Sequence, residues 1–126
     1  MALQDDALRA YEAGRLALEA GDLTAAVAQL EASVAAFPHF KALELLGEVW
    51  LKKGDARRAV VPLAAATTLN RQVRAPSLLA EALLKLGDQL EAHRVARLAL
   101  ERDPNNRKAR AVLEATAADH EAWDKG

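Results

Sequence analysis

Three histidines, His39, His93 and His120, are the side chains of this 126-residue chain best placed by their ordinary pKa to move protons or hold a metal near neutral pH. No two of them stand three or four residues apart, the spacing that puts two ligands on one face of a helix. Each is therefore expected at the surface or in a seam between elements. The run Asp119-His120-Glu121 sets a histidine between two carboxylates, but successive helical positions point in different directions and cannot share one ion. The absence of cysteine removes thiolate nucleophiles, disulfides and Cys-based zinc sites together, and leaves the redox compartment unread. Glycines stand singly and form no phosphate-cradling loop. The sequence thus offers no nucleophile with its base, no paired carboxylates in a cleft and no metal cluster. The expectation is a chain that is not an enzyme and needs no metal or cofactor.

What remains is charge and shape. Between Glu91 and Arg110 the chain carries Arg94, Arg97, Arg102, Arg107, Lys108 and Arg110 against Glu91, Glu101 and Asp103, a local excess of three positive charges. Nucleic-acid binding would want aromatic platforms interleaved with that charge. There are none, so the stretch reads as a solvated face with Arg97 and Glu101 paired one turn apart. The net charge of −1 provides no global field toward nucleic acid or an anionic membrane. Apolar residues make up 52% but aromatics only 4%, so the core is expected to be alanine and leucine on closely packed helices. The N-terminus shows no basic region followed by an apolar run, and no stretch reaches the eighteen apolar residues of a membrane span. A soluble cytoplasmic protein is expected.

The elements that hold these charges in place are marked by one dipeptide. Gly21-Asp22, Gly54-Asp55 and Gly87-Asp88 recur at intervals of 33 residues. Each follows an apolar-rich segment, and an alanine stands four residues after each Asp, at Ala26, Ala59 and Ala92. A glycine just past such a segment supplies the left-handed residue that ends a helix, and the Asp beside it can accept the free amides that open the next. Each pair is thus a helix–turn–helix corner, and Glu91 lies at capping-box spacing from Asp88. The predicted helices run over about Leu3–Ala20, Leu23–Ala36, Lys41–Lys53, Ala56–Asn70, Pro76–Leu86, Gln89–Arg102 and Arg107–Trp123. The first should bury Leu3, Ala7, Ala10, Ala13 and Ala17. The second should bury Val27, Leu30 and Val34, and the third Leu43, Leu46 and Trp50. Phe37 and Phe40 should plug the seam beside Pro38. Pro62 falls inside the fourth helix, where the register predicts a bend over Arg58 to Pro62 and not a break. The seventh should align Ala109, Val112, Leu113, Thr116, His120 and Trp123 as a capping stripe.

These residues resemble the tetratricopeptide repeat. Small residues stand where that family crosses its helices: Gly14, Gly47 and Ala80 on the first helix of each pair, then Ala26, Ala59 and Ala92, and Ser33, Ala66 and Ala99, on the second. The family's closing proline is present as Pro38 and Pro104, while Arg71 stands in its place between them. The ankyrin repeat shares the 33-residue period, but its Thr-Pro-Leu-His signature is absent. The resemblance covers about Ala7 to Asn106. It implies one domain over residues 1–126, with repeats at about 7–39, 40–72 and 73–106 and a capping helix at about 107–123. The implied fold is an all-α, right-handed superhelical solenoid.

The resemblance also implies a function: a scaffold or adaptor whose first helices line a concave groove that binds a peptide segment of a partner protein. Carried over position by position, the groove is lined by Leu8, Tyr11, Arg15, Leu18 and Glu19, then Lys41, Glu44, Glu48, Leu51 and Lys52, then Arg74, Ser77, Glu81, Leu84 and Lys85. Leu18, Leu51 and Leu84 would form an apolar ladder. Glu48 with Lys52, Glu81 with Lys85, and Arg15 with Glu19 stand one turn apart as ion pairs. Members that clamp a chaperone's terminal carboxylate use a set of Lys, Arg and Asn. Tyr11, Arg15, Leu45, Arg74 and Leu78 occupy those positions here, so that activity is not expected. The expected partner is a protein or peptide, not nucleic acid or membrane, and the chain is a monomer or weak homodimer. The alternatives are a self-associating structural element and an accessory domain of a larger regulator.

Overall fold

The computed structural model describes residues 2–71 and 74–117, and among these it contains seven α-helices and no strand. They are α1 (Ala2–Glu19), α2 (Leu23–Ala36), α3 (Phe40–Lys52), α4 (Ala56–Leu69), α5 (Arg74–Lys85), α6 (Gln89–Arg102) and α7 (Arg107–Ala115). The all-α helical-repeat architecture expected from the Gly-Asp period is the one observed.

Each corner is closed by the same bonds. Gly21, Gly54 and Gly87 have φ of +81°, +81° and +82°, the left-handed conformation that glycine adopts without strain. The glycine N–H donates to the carbonyl of Leu18, Leu51 or Leu84, and the Asp N–H reaches one residue further back, to Ala17, Trp50 or Leu83. That is the double bond of a Schellman helix end. The same Asp then caps the next helix: its carboxylate accepts from Ala25 N at 3.0 Å, Arg58 N at 3.0 Å and Glu91 N at 3.3 Å. The reciprocal half of the capping box does not form, because Asp88 N is already committed to Leu83. Glu91 instead pairs with Arg94 at 2.5 Å.

The helices of each hairpin cross where their side chains are smallest. Gly14 lies against Leu30 and Gly47 against Leu63, and both leucines are fully buried. In the third hairpin Ala80 and Ala96 take those two places in one buried cluster with Ala92, Ala99, Ala109 and Val112. Val49, Leu45 and Leu46 pack with Ala26, Val27 and Leu30, and Leu78 and Leu79 pack with Ala59 and Leu63. Trp50 is half-buried between these two clusters, and the Arg58 guanidinium lies 5.1 Å from its ring centroid. The core is therefore a run of small aliphatic clusters, one handed to the next.

Several expectations are corrected. Leu3 is 62% exposed. Ser33 of α2 meets Ala7 of α1 and α2 ends at Ala36, so the turn of α1 that carries Leu3 lies beyond its neighbour. Phe37 is exposed and only Phe40 packs into the seam, against Leu43, Ala66 and Ala75. α5 begins at Arg74, which places Pro76 within its first turn, where a missing N–H costs nothing. As the register predicts, α4 runs without a break through Pro62, which is buried. At the joint where Arg71 replaces proline, Arg102 donates to the Asn70 carbonyl at 3.3 Å and holds the end of α4. On α7, Ala109, Val112 and Thr116 are buried and Leu113 is half-buried; His120, Trp123 and the Asp119-His120-Glu121 run lie outside the described residues.

Curvature follows from which helices touch. The first helices of successive hairpins approach one another, α1 to α3, α3 to α5 and α5 to α7. Among the described residues no such approach joins α2 to α4 or α4 to α6. A two-layer stack whose layers differ in this way bends toward the touching layer, so the odd-numbered helices form the inside of the curve.

Candidate functional site

Along that inner face runs a trough in two compartments. The larger hollow, about 240 Å³, is floored by α3 and α5: Glu48, Leu51 and Lys52 face Arg74, Ser77, Leu78, Glu81 and Lys85, with Lys108 of α7 at the far rim. The second lies toward α1 and is lined by Tyr11, Phe40, Lys41, Glu44, Leu45 and Arg74. Arg74 belongs to both and stands between them. Both hollows are open to solvent, whereas a small-molecule site usually buries most of its ligand in a cleft of about 300–1,000 Å³. The open trough suits a chain lying along it.

Arg74 is held by two carboxylates of the neighbouring helix. Its guanidinium pairs with Glu48 and, at 3.6 Å, with Glu44. Burial pushes the Glu44 carboxyl above its ordinary value, and Arg74 pulls it back. On the other wall Glu81 is shared by Lys85 at 3.6 Å and Lys108 at 3.5 Å. At the α1 edge, Arg15 bonds Glu12 at 2.9 Å and Glu19 at 2.7 Å. The hydrogen bond to Glu12 favours the charged guanidinium and raises its pKa.

Of the residues expected to line a groove, Tyr11, Lys41, Glu44, Glu48, Leu51, Lys52, Arg74, Ser77, Glu81 and Lys85 are brought together in the trough. Leu8 is not: it opens into a separate, mostly apolar hollow with Gln4, Ala7, Phe37 and His39 at the α1 end. Arg15, Leu18, Glu19 and Leu84 line neither compartment. The leucine ladder is half-buried throughout, with Leu18, Leu51 and Leu84 each packed on the cluster of its own hairpin. Only Leu51 also faces the trough.

The expected local pairs Glu81–Lys85 and Arg15–Glu19 form. Glu48 pairs with Arg74 and not with Lys52, because a guanidinium arriving from α5 offers a planar donor fork that a helical neighbour's ammonium does not. Arg97 and Glu101 make no ion pair, although both flank a shallow surface hollow with Arg94 and Leu98. Sequence spacing did not reveal Lys108 as part of the trough. The 33-residue register from Lys41 and Arg74 leads to Arg107, and it is the next residue, Lys108, that reaches the trough.

His39 and His93 have structural partners. The Ser33 hydroxyl donates to the Ala7 carbonyl at 2.6 Å, so its contact of 3.2 Å with His39 Nε2 makes that nitrogen the donor. The His39 ring stands edge-on to Tyr11 with centroids 5.7 Å apart. Burial lowers its pKa, and Lys41 lowers it further. His93 is buried in the α6–α7 seam with Nδ1 2.7 Å from the Thr116 hydroxyl, which itself bonds the Val112 carbonyl. Among the described residues, no group of three or more His, Asp or Glu converges on a point, and no helix is long and apolar enough to cross a membrane.

No family model matches the sequence, and none of the curated proteins matches it. Solved structures do match the fold. The first TPR of Spaghetti (RPAP3) bound to HSP90 peptide SRMEEVD superposes with a TM-score of 0.85 at 22% identity, covering 92% of this chain and 94% of that one. The second TPR domain of human RPAP3, in complex with HSP70 peptide SGPTIEEVD, matches at 0.85 and 19% identity over 91% and 98%. The Arabidopsis OM64 TPR domain matches at 0.84 and 17% over 93% and 98%. The fold of this chain is that of a tetratricopeptide-repeat domain.

Proposed function

We propose that this chain is a protein-interaction module, a scaffold or adaptor that takes a segment of a partner protein into the trough on its inner face. The observation that carries the reading is that two hollows on the inner face adjoin at Arg74. Between them they draw charged and apolar lining residues from α1, α3, α5 and α7. An extended or helical peptide finds alternating apolar and charged contacts there, which is how repeat surfaces commonly recognise segments. Two of the similar structures were determined with peptides bound, which supports the class of ligand. The positions of this chain that correspond to a carboxylate clamp hold Tyr11, Arg15, Leu45, Arg74 and Leu78, which argues for a different peptide.

Selection from a random peptide library tests this reading. Enriched peptides are expected to lose most of their binding to a Tyr11→Ala/Lys85→Glu variant and to keep it for Val61→Arg, which alters the outer face. Peptides indifferent to the inner-face changes would sink the proposal.

A second reading, self-association, is favoured by one feature: the apolar hollow at the α1 end, where Leu8 and Phe37 are 58% and 41% exposed. Light scattering across a wide concentration range separates the two. A constant mass near 13.6 kDa leaves the trough for a partner, whereas a dimer dispersed by Leu8→Glu assigns that end to a second copy.

A further inference from the structure

The inner trough carries a charge pattern that the packing of its helices does not require. On α3, Lys41, Glu44, Glu48 and Lys52 follow at intervals of three, four and four residues, which stacks them along a single face. Arg74 engages the two central carboxylates from α5. Lys41 and Lys52, at the two ends of the row, meet no carboxylate among the described residues, and both are exposed. Across the channel Glu81 is shared by Lys85 and Lys108. Five cations therefore face three carboxylates in the trough, an excess of two in a chain whose total is −1. The uncommitted cations are placed, one at each end of the α3 row.

We infer that the ligand of this trough is an internal stretch of extended peptide with two acidic side chains four residues apart, and so on one face of the peptide, one meeting Lys41 and the other Lys52. The inference rests on the reading of the trough as a peptide site and adds the chemistry of its occupant. Eleven residues of α-helix rise roughly 16 Å at 1.5 Å each. In an extended chain at about 3.3 Å per residue only even separations share a face, so four residues, about 13 Å, bring two acids to the same side, and the long lysine side chains span the remainder.

The middle of the channel selects against a third acid. Arg74 is already satisfied there, and an added carboxylate would face Glu44 and Glu48. Uncharged residues suit it, with Tyr11 and Leu45 on one side of Arg74 and Leu51 and Leu78 on the other. Nothing in the arrangement calls for a terminal carboxylate, because both uncommitted cations are met by side chains along the peptide.

The experiment is fluorescence anisotropy with synthetic peptides of about ten residues, labelled at the N-terminus and amidated at the C-terminus, in a Ser-Ala-Leu background. One carries two glutamates four positions apart, one has them two apart, and one has glutamine at both places of the four-spaced pair. The four-spaced peptide is expected to bind about tenfold more tightly than the glutamine peptide, the sum of two partly solvated ion pairs. The two-spaced peptide should lose most of that advantage, and salt should erode it. Lys41→Glu and Lys52→Glu should each remove the preference; both side chains are exposed, and circular dichroism confirms that the variants fold. Equal binding of the glutamine peptide, indifference to spacing, indifference to either lysine, or failure of every peptide to bind would each overturn the assignment. The library selection presupposes no acid: groove-dependent peptides without spaced acids would end this inference and leave the interaction reading standing. Peptides that ignore the inner face would end both.

Discussion

Gly47 lies directly beneath Leu63: a Cβ on Gly47 would stand 2.3 Å from Leu63 Cγ and 2.5 Å from its Cδ2. Leu63 is fully buried and has nowhere to retreat. The first hairpin repeats the relationship with Gly14 and Leu30 at 2.7 Å, and the third replaces both members, with Ala80 and Ala96. Volume added on one helix is removed from the other, so the pair and not the single residue sets how closely the helices approach.

Gly47→Ala is expected to destabilise the fold by about 1–2 kcal/mol, since overpacking of this kind outweighs the roughly 1 kcal/mol that alanine contributes to a helix. Leu63→Ala should cost about 2–5 kcal/mol through the cavity it leaves. In the Leu63→Ala background the sign of Gly47→Ala should reverse, reproducing the third hairpin. Urea denaturation of the four proteins of this cycle checks it, and additivity of the two changes would refute the coupling.

Gly54→Ala tests a different cost. Nothing lies within 4 Å of a Cβ there, but φ is +81°, so the penalty is that of a left-handed non-glycine residue, about 1–2 kcal/mol. Gly54→Asn should recover part of it. Thermal melts of the two variants should rank Asn above Ala, and equal melting temperatures would show that the corner relaxes out of its left-handed conformation.

His39 should make stability depend on pH. Its folded pKa lies below the ordinary value of 6.5 because of burial, with Lys41 adding to the effect. The unfolded chain therefore takes up the proton first as pH falls. The contribution is complete above about pH 6.5 and is lost as pH drops from there through the folded pKa. His39→Gln, which keeps a donor for Ser33, should flatten that part of the profile of melting temperature against pH. A wild-type profile that is already flat between pH 7 and 5, about that range, would contradict the shift.

Leu51 and Leu84 are half-buried on their own clusters. Leu84→Asp is expected to cost roughly 1–2 kcal/mol, about half the value of a fully buried leucine, and Leu51→Asp a similar amount. Unchanged melting in either would place that side chain wholly in solvent and restore a free leucine ladder along the groove.

The helices were legible in the sequence because their ends are fixed locally. A glycine forced to positive φ and an Asp with amides in reach need only their own neighbours, so α2 and α6 begin and end where the Gly-Asp corners and the apolar period place them. Ion pairs one turn apart are legible for the same reason, as Glu81–Lys85 and Arg15–Glu19 show. The grip of Glu44 and Glu48 on Arg74 depends on how far α5 sits from α3, which no local spacing encodes. Leu3 misled for a related reason: its apolar character says nothing about whether α2 extends far enough to cover it.

Each corner aspartate closes one helix with its backbone N–H and opens the next with its carboxylate, so no residue between the two helices is spare. Adding a single residue there would turn the second helix by about 100° and carry Leu30 or Leu63 off its glycine. Tolerance to a change of chain length should therefore be periodic along the molecule, lowest at the three corners and higher at the joints between hairpins. A loop grafted to extend or regulate this module belongs beside Pro38 or Pro104, where it would lengthen the linkage without disturbing the hairpins on either side.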